Sequence, residues 1–254
     1  MILAWVCYYD ALIAVGLVAA GIVAAHFELI APFYGFQMMI AGLAFAALGL
    51  ICALFAVPLT AFSAKRQAAR GRALTGAVLA VALLVPVIVV ILQTRHYPLI
   101  NDITTDPDHP PVFVKALELQ PGRDMAYNPQ LAAIQKAAPA YADLAPLKMV
   151  GAPDEVFAKT AILAGRIPTW LITRNDPQTH TLEGVATSGL FRFHDDFIIE
   201  VRPAEGGGSL IEMRSKSRDG KGDLGANYHR IKSFLTLVKT GPQNPPPGSA
   251  QVQP

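Results

Sequence analysis

The stretch "IEMRSKSRDGKGDLGANYHRIKSFL", residues 211–235, changes its periodicity half-way along, and that change decides the fold. In its first part Ile211 and Met213 alternate with Glu212 and Arg214, the period-two pattern of a strand with one apolar face. In its last part Ile231, Phe234 and Leu235, continued by Val238, fall on one stripe of a helix. Between the two, Gly220, Gly222 and Gly225 have the G-x-G-x-x-G spacing of a dinucleotide site. That fingerprint needs a further strand after the helix and an acidic residue about 20 positions on. The helix runs instead into "GPQNPPPGSAQVQP", which holds neither, so the glycines are read as a tight strand-to-helix turn. Asp223 and Asn227 have the chemistry to cap that helix, by accepting hydrogen bonds from its unpaired backbone N–H groups.

Working towards the N-terminus, strand-like runs occupy 169–174, 179–193, 196–203 and 209–218, separated by the turn material "NDPQ", "HD" and "AEGGG". Phe197, Ile199 and Val201 alternate with Glu200 and Arg202 as Ile211 and Met213 do with their neighbours. Upstream, "GAPDEVFAKTAILAGRIP" carries helix signals: Pro153 in the first turn, Asp154 and Glu155 at the positive end, Gly165 and Pro168 as stops. The order predicts an α+β domain over 151–240, a four-stranded antiparallel sheet with two helices on its apolar face and its charged face in solvent. Residues 95–150, rich in Pro and Asp, read as an extended lead with a short helix near 128–138, and 241–254 as a disordered tail.

The rest of the chain belongs in a membrane. Of 254 residues 52% are hydrophobic and 16% charged, too apolar for one ordinary globular domain. The excess sits in 1–94, where apolar runs near 3–25, 37–57 and 73–92 match a hydrocarbon core of roughly 30 Å crossed at about 1.5 Å per residue. Three transmembrane helices follow. Lys65, Arg66, Arg70 and Arg72 crowd the second connector, whereas the N-terminus and the first connector carry no Lys or Arg. The positive-inside rule then places the N-terminus and that connector in the cytoplasm and everything beyond about residue 93 on the far side of the membrane. An apolar start without a basic flank argues against a cleavable signal peptide. Asp10, close to Trp5, Tyr8 and Tyr9, reads as an interfacial acid, and Gly16, Ala20 and Ala24 as a small-residue stripe for helix packing. Both cysteines, Cys7 and Cys52, lie in membrane segments, which leaves the exported part without a disulfide framework, thiol nucleophile or Cys-based metal site.

Beyond the membrane part, 17 basic residues balance 17 acidic ones, which argues against nucleic acid as a partner. "NDITTDPDHPPVF", "FRFHDDFIIEVRP" and especially "IEMRSKSRDGKGDLGANYHRIKSFL" resemble the bacterial and plastid family catalogued as domain of unknown function family 1499, over roughly residues 100–238. The pattern Ser215, Ser217, Arg218, Gly220, Asp223, Gly225, Asn227 carries the resemblance. Shorter members often have a Cys-containing lead, absent here, where a three-helix anchor stands instead. The resemblance implies an exported or membrane-attached domain and assigns no reaction.

The chemistry concentrates at the end of the last strand. Arg214, Lys216 and Arg218 share one strand face and Lys221 follows in the glycine turn, a set able to hold a phosphate, carboxylate or lipid headgroup. The clusters "HDD" at 194–196 and "DITTDPDH" at 102–109 lack the spacing of calcium or zinc sites and read as turn and loop; His180 and His229 stand alone in sequence. No G-x-S-x-G elbow, P-loop or HExxH helix is present, so no metal or cofactor is expected. The favoured expectation is a non-enzymatic, membrane-anchored exported domain binding an anionic small molecule, lipid headgroup or envelope partner. The alternative is a hydrolase or transferase with its site around Asp223, Arg218 and Lys216. The topology has a direct test. A periplasm-active reporter fused after Thr94 should be active and one fused within 63–72 inactive; activity at the inner connector would overturn the orientation.

Overall fold

The computed structural model describes residues 2–62 and 64–241, so the expected disordered tail at 241–254 lies, except for Gly241, outside the described residues. The chain divides into two compact units, Met1–Arg95 with Ser188–Phe193, and His96–Thr187 with His194–Pro254.

The first unit holds three helices, α1 (Ile2–His26), α2 (Pro32–Ala61) and α3 (Gln67–Thr94), each long and apolar enough to cross a membrane. All three extend beyond the expected apolar runs, and the connector arginines Arg70 and Arg72 lie in the first turns of α3. Arg66 and Arg70 donate to the carbonyls of Leu59 and Ala61 at the end of α2, where helical carbonyls lack partners. Arg72 stacks on the Trp5 ring at 3.9 Å. The stripe of α1 that packs is Ala4, Cys7, Ala11, Ala14, Gly21 and Ala25, with exposed Gly16 off it. A Cβ on Gly21 would lie 2.6 Å from the Gly35 carbonyl oxygen, so the backbones of α1 and α2 meet where neither has a side chain. Asp10 is buried against Gly49 of α2, not turned outward with its aromatic neighbours. Within the same unit, Ser188–Phe193 sets Phe191 and Phe193 edge-on against Phe36 and Arg192 on Glu28.

The second unit is α+β, and its sheet has six strands where four were expected. β3 (Trp170–Asp176), β4 (Thr181–Thr187), β5 (His194–Pro203) and β6 (Ser209–Ser217) form the expected antiparallel meander. Residues 95–150 add β1 (Asp102–Thr104) and β2 (Leu147–Met149), which pair antiparallel with opposite ends of β6. Three-residue strands are too short to show alternation, which is why the sequence of 95–150 reads as an extended lead. The same segment supplies α4 (Lys115–Leu119) and α5 (Pro129–Ala137), the latter capped by Asn128. Gln135 of α5 bonds both the N–H and the carbonyl of Thr104, its amide standing in for a neighbouring strand along β1.

One sheet face is covered by α6 (Pro153–Gly165) and α7 (Ala226–Thr240), as the periodicity required. Leu182, Phe197, Ile199, Val201, Ile211 and Met213 meet Ile231, Phe234, Leu235 and Val238 there. Trp170 lies between Phe197 and Phe234 at centroid distances of 4.2 and 5.0 Å.

The opposite face corrects the expectation of a solvated charged surface. Glu183, Asp196 and Arg214 are buried there beneath residues 111–127, and buried Glu212 pairs with Arg202 of β5. The Arg214 guanidinium bonds both Asp102 carboxylate oxygens, at 2.8 and 2.7 Å, and the carbonyls of Pro111 and Met125. It lies between the rings of Phe113 and Tyr127, at 4.8 and 5.0 Å. Glu183 accepts the N–H groups of Val114, Lys115 and Ala116, holding the first turn of α4 onto the sheet. The partners that bury Glu183, Asp196 and Arg214 under this cover lie between 67 and 112 residues away, beyond the reach of any periodicity argument.

Candidate functional site

The two sides of the sheet use the residues of the glycine segment differently. On the helical side, Asn227 is fully buried; its side-chain oxygen accepts from Ser215 at 2.8 Å, and its amide donates to Ser217 and to the Asn101 carbonyl. Arg230 joins Ser215 and Asn227 and pairs with Asp195. Asp223 accepts the N–H groups of Gly225 and Asn227, both at 2.9 Å, at the start of α7. Burial pushes its carboxyl above the usual range, with the two backbone donors opposing the shift. Both oxygens are thereby committed to the backbone.

The glycines have steric reasons of their own. Gly225 has φ +86°, and a Cβ there would lie 2.5 Å from the Tyr97 ring. A Cβ on Gly222 would lie 2.5 Å from Leu99. Residues 97–99 therefore cross directly over the turn, and Asn101 bonds the Gly220 carbonyl.

On the other side, the four basic residues grouped by sequence separate. Arg214 is the buried partner of Asp102, and Lys216 contacts the same carboxylate at 3.1 Å. Arg218 pairs with Asp196 through Nε and Nη2. Lys221 is exposed in the turn. Asp223, Arg218 and Lys216, the set of the enzymatic alternative, belong to three networks with no shared partner.

Arg218 stands at the wall of a cleft of about 320 Å³ on this face. Leu171 and Val185, directly opposed on β3 and β4, give the cleft an apolar floor. Leu119 and Gln120 at the end of α4 form one wall; Thr173, Thr187 and His194 line the remainder. Asp196, 1% exposed, takes Arg218 on one side and Arg123 on the other, with Gln120 donating to both oxygens. Two guanidiniums share one carboxylate, so the cluster keeps a surplus positive charge. Nη1 of Arg218 makes no hydrogen bond among the described residues, and its side chain is 28% exposed. A β-bulge between Ile172 and Arg174 inserts Thr173 into the cleft wall.

A family model described as "Protein of unknown function (DUF1499)" matches residues 102–238. The chain belongs to the DUF1499 family. No curated protein and no solved structure matches it. The DUF1499 match begins at Asp102, the partner of Arg214, and ends at Val238, the last buried residue of α7, so it covers both covered faces of the sheet.

Sequence reasoning named Arg218 but missed Asp196, Arg123 and Gln120. Alternation did offer a signal: β5 begins at His194, so "HDD" is strand rather than turn, and Asp196 lies on the face of Arg218. Arg123 and Gln120 gave none. His180 and His229 are not solitary, since His180 pairs with Asp154 at 2.6 Å and His229 with the Tyr97 hydroxyl at 3.0 Å. Among the described residues no three His, Cys, Asp or Glu side chains converge as a metal site.

Gly225→Ala is expected to destabilise the domain by about 1–3 kcal/mol, through the left-handed φ and the Tyr97 ring. Gly165→Ala, with open space at the end of α6, should change stability by less than about 1 kcal/mol and in the favourable direction. Urea unfolding of the full chain in nanodiscs, followed by Trp170 fluorescence in a Trp5→Phe background, measures both. Equal effects would refute the steric account.

Proposed function

We propose that this DUF1499 protein is a membrane-anchored binding module of a bacterial inner membrane, its second unit on the periplasmic side, and that it binds a small anion in the Arg218 cleft. The observation that carries the reading is the charge imbalance at Asp196. One buried carboxylate neutralises only one of the two guanidiniums, and the arginine with an uncommitted Nη1 lines an open cleft. An anion there satisfies Nη1 and offsets the surplus charge. His194, whose ring makes no hydrogen bond among the described residues, and the Thr173 and Thr187 hydroxyls supply further donors. The basic connector of α3 supports the orientation through the positive-inside rule. Of the basic residues grouped by sequence, Arg218 is the one that reaches the ligand, Arg214 and Lys216 hold the face together through Asp102, and Lys221 lies outside the cleft.

A ligand that binds only the folded state raises its unfolding free energy, by about 2.7 kcal/mol at one hundred times its Kd. Phosphate or acetate, compared with chloride at equal ionic strength, should stabilise the full chain in nanodiscs. Arg218→Gln, which leaves Asp196 with Arg123 and Gln120, should remove most of that effect, and Lys221→Gln should leave it intact. Equal stabilisation of wild type and Arg218→Gln would exclude the site.

A further inference from the structure

The chemistry of the cleft changes along one row of the sheet. Leu171, Val185, Asp196 and Lys216 are successive cross-strand partners from β3 to β6. The row begins apolar at the sheet edge and becomes charged in the middle. Elsewhere this face buries its charges under residues 111–127, but Leu171 is 68% and Leu119 52% exposed. Two large aliphatic side chains therefore border an open cleft whose other end is an arginine. A phosphate ion or acetate satisfies the arginine and leaves this apolar end wet.

We propose that the ligand is an amphiphile, a carboxylate or phosphate monoester on an unbranched hydrocarbon chain of about eight carbons, its head on Arg218 and its chain over Val185 and Leu171. This rests on the anion-binding reading above. The chain length follows from two measures. Strands spaced about 4.8 Å apart put Leu171 roughly 10 Å from Asp196 along the row. A cleft of about 320 Å³ holds on the order of ten water-sized groups, the number of non-hydrogen atoms in octanoate. The open edge at β3 lets a longer chain leave the cleft, so affinity rises with length and then levels off.

The test uses the full chain in nanodiscs and an octanoate carrying a terminal diazirine, with the matching octyl phosphate as a second arm; labelled peptides are mapped by mass spectrometry. Labelling is expected on peptides containing Leu171, Thr173 or Val185. Octanoate should compete for it and acetate at the same concentration should not. Arg218→Gln and Leu171→Asp should each reduce it about tenfold, while labelling of the three apolar helices stays constant and reports partition into the bilayer. Leu171 is mostly exposed, so its replacement leaves the core intact. Labelling by the carboxylate arm alone assigns a fatty-acid-like ligand, and by the phosphate arm alone a phosphate monoester; either supports the proposal. Labelling confined to the helices overturns the amphiphile, and stabilisation by phosphate through Arg218 would still leave the anion site standing. Equal cleft labelling by a diazirine octanol overturns the proposal, since the arginine would then play no part in holding the amphiphile, and the phosphate stabilisation test still decides the anion site by itself.

Discussion

The ion pair between Asp102 and Arg214 is the contact on which the second unit depends. Asp102 is fully buried and Arg214 is 1% exposed. Neither tolerates that position alone, because removing one member of a buried pair leaves an uncompensated charge and typically costs about 3–5 kcal/mol. The guanidinium also fixes the carbonyls of Pro111 and Met125 and fills the space between two rings, so one side chain on β6 seats β1 and the covering segment together. Glu183 and Asp196 repeat the arrangement at the start of α4 and beyond its end. The sheet thus has two interiors, an apolar one beneath α6 and α7 and a polar one beneath residues 111–127.

This double interior explains what could be read in the sequence. Alternation in β5 and β6 and the stripe of α7 are local patterns, and they correctly placed Phe197, Ile199, Met213 and Phe234 in the apolar core. The same alternation placed Glu212 and Arg214 on the other face but carried no information on what covers it. Charge on a strand usually means water; here it means carboxylates, amides and carbonyls contributed from far along the chain. The three apolar helices were legible for the opposite reason, since length and apolarity are properties of a segment alone. Their contact stripe was not, because Ala and Gly are so frequent in α1 that Ala4, Cys7 and Ala11 do not stand out from Gly16 and Ala20.

The candidate site exists where the cover stops. Beyond α4 the polar interior opens into the cleft, and Asp196 is the last carboxylate of the buried series, shared by Arg123 from the cover and Arg218 just past the end of β6. Arg214 has all its partners supplied by the protein, whereas Arg218 keeps Nη1 uncommitted among the described residues. Arg214 on β6 and Arg218 just past its end therefore sit four residues apart, one enclosed by the protein and one open to the cleft, and what separates them is the reach of α4.

The central claim, that Arg214 seats residues 111–127 on a charged sheet face, is tested most directly by amide hydrogen exchange in the full chain, comparing wild type with Arg214→Met. Lys216 remains beside Asp102 in the variant, and α7 packs on the other side of the sheet. The account predicts that protection of the Val114, Lys115 and Ala116 amides falls at least about tenfold while that of Ile231, Phe234 and Leu235 is retained. Unchanged protection of the α4 amides in the variant would contradict it.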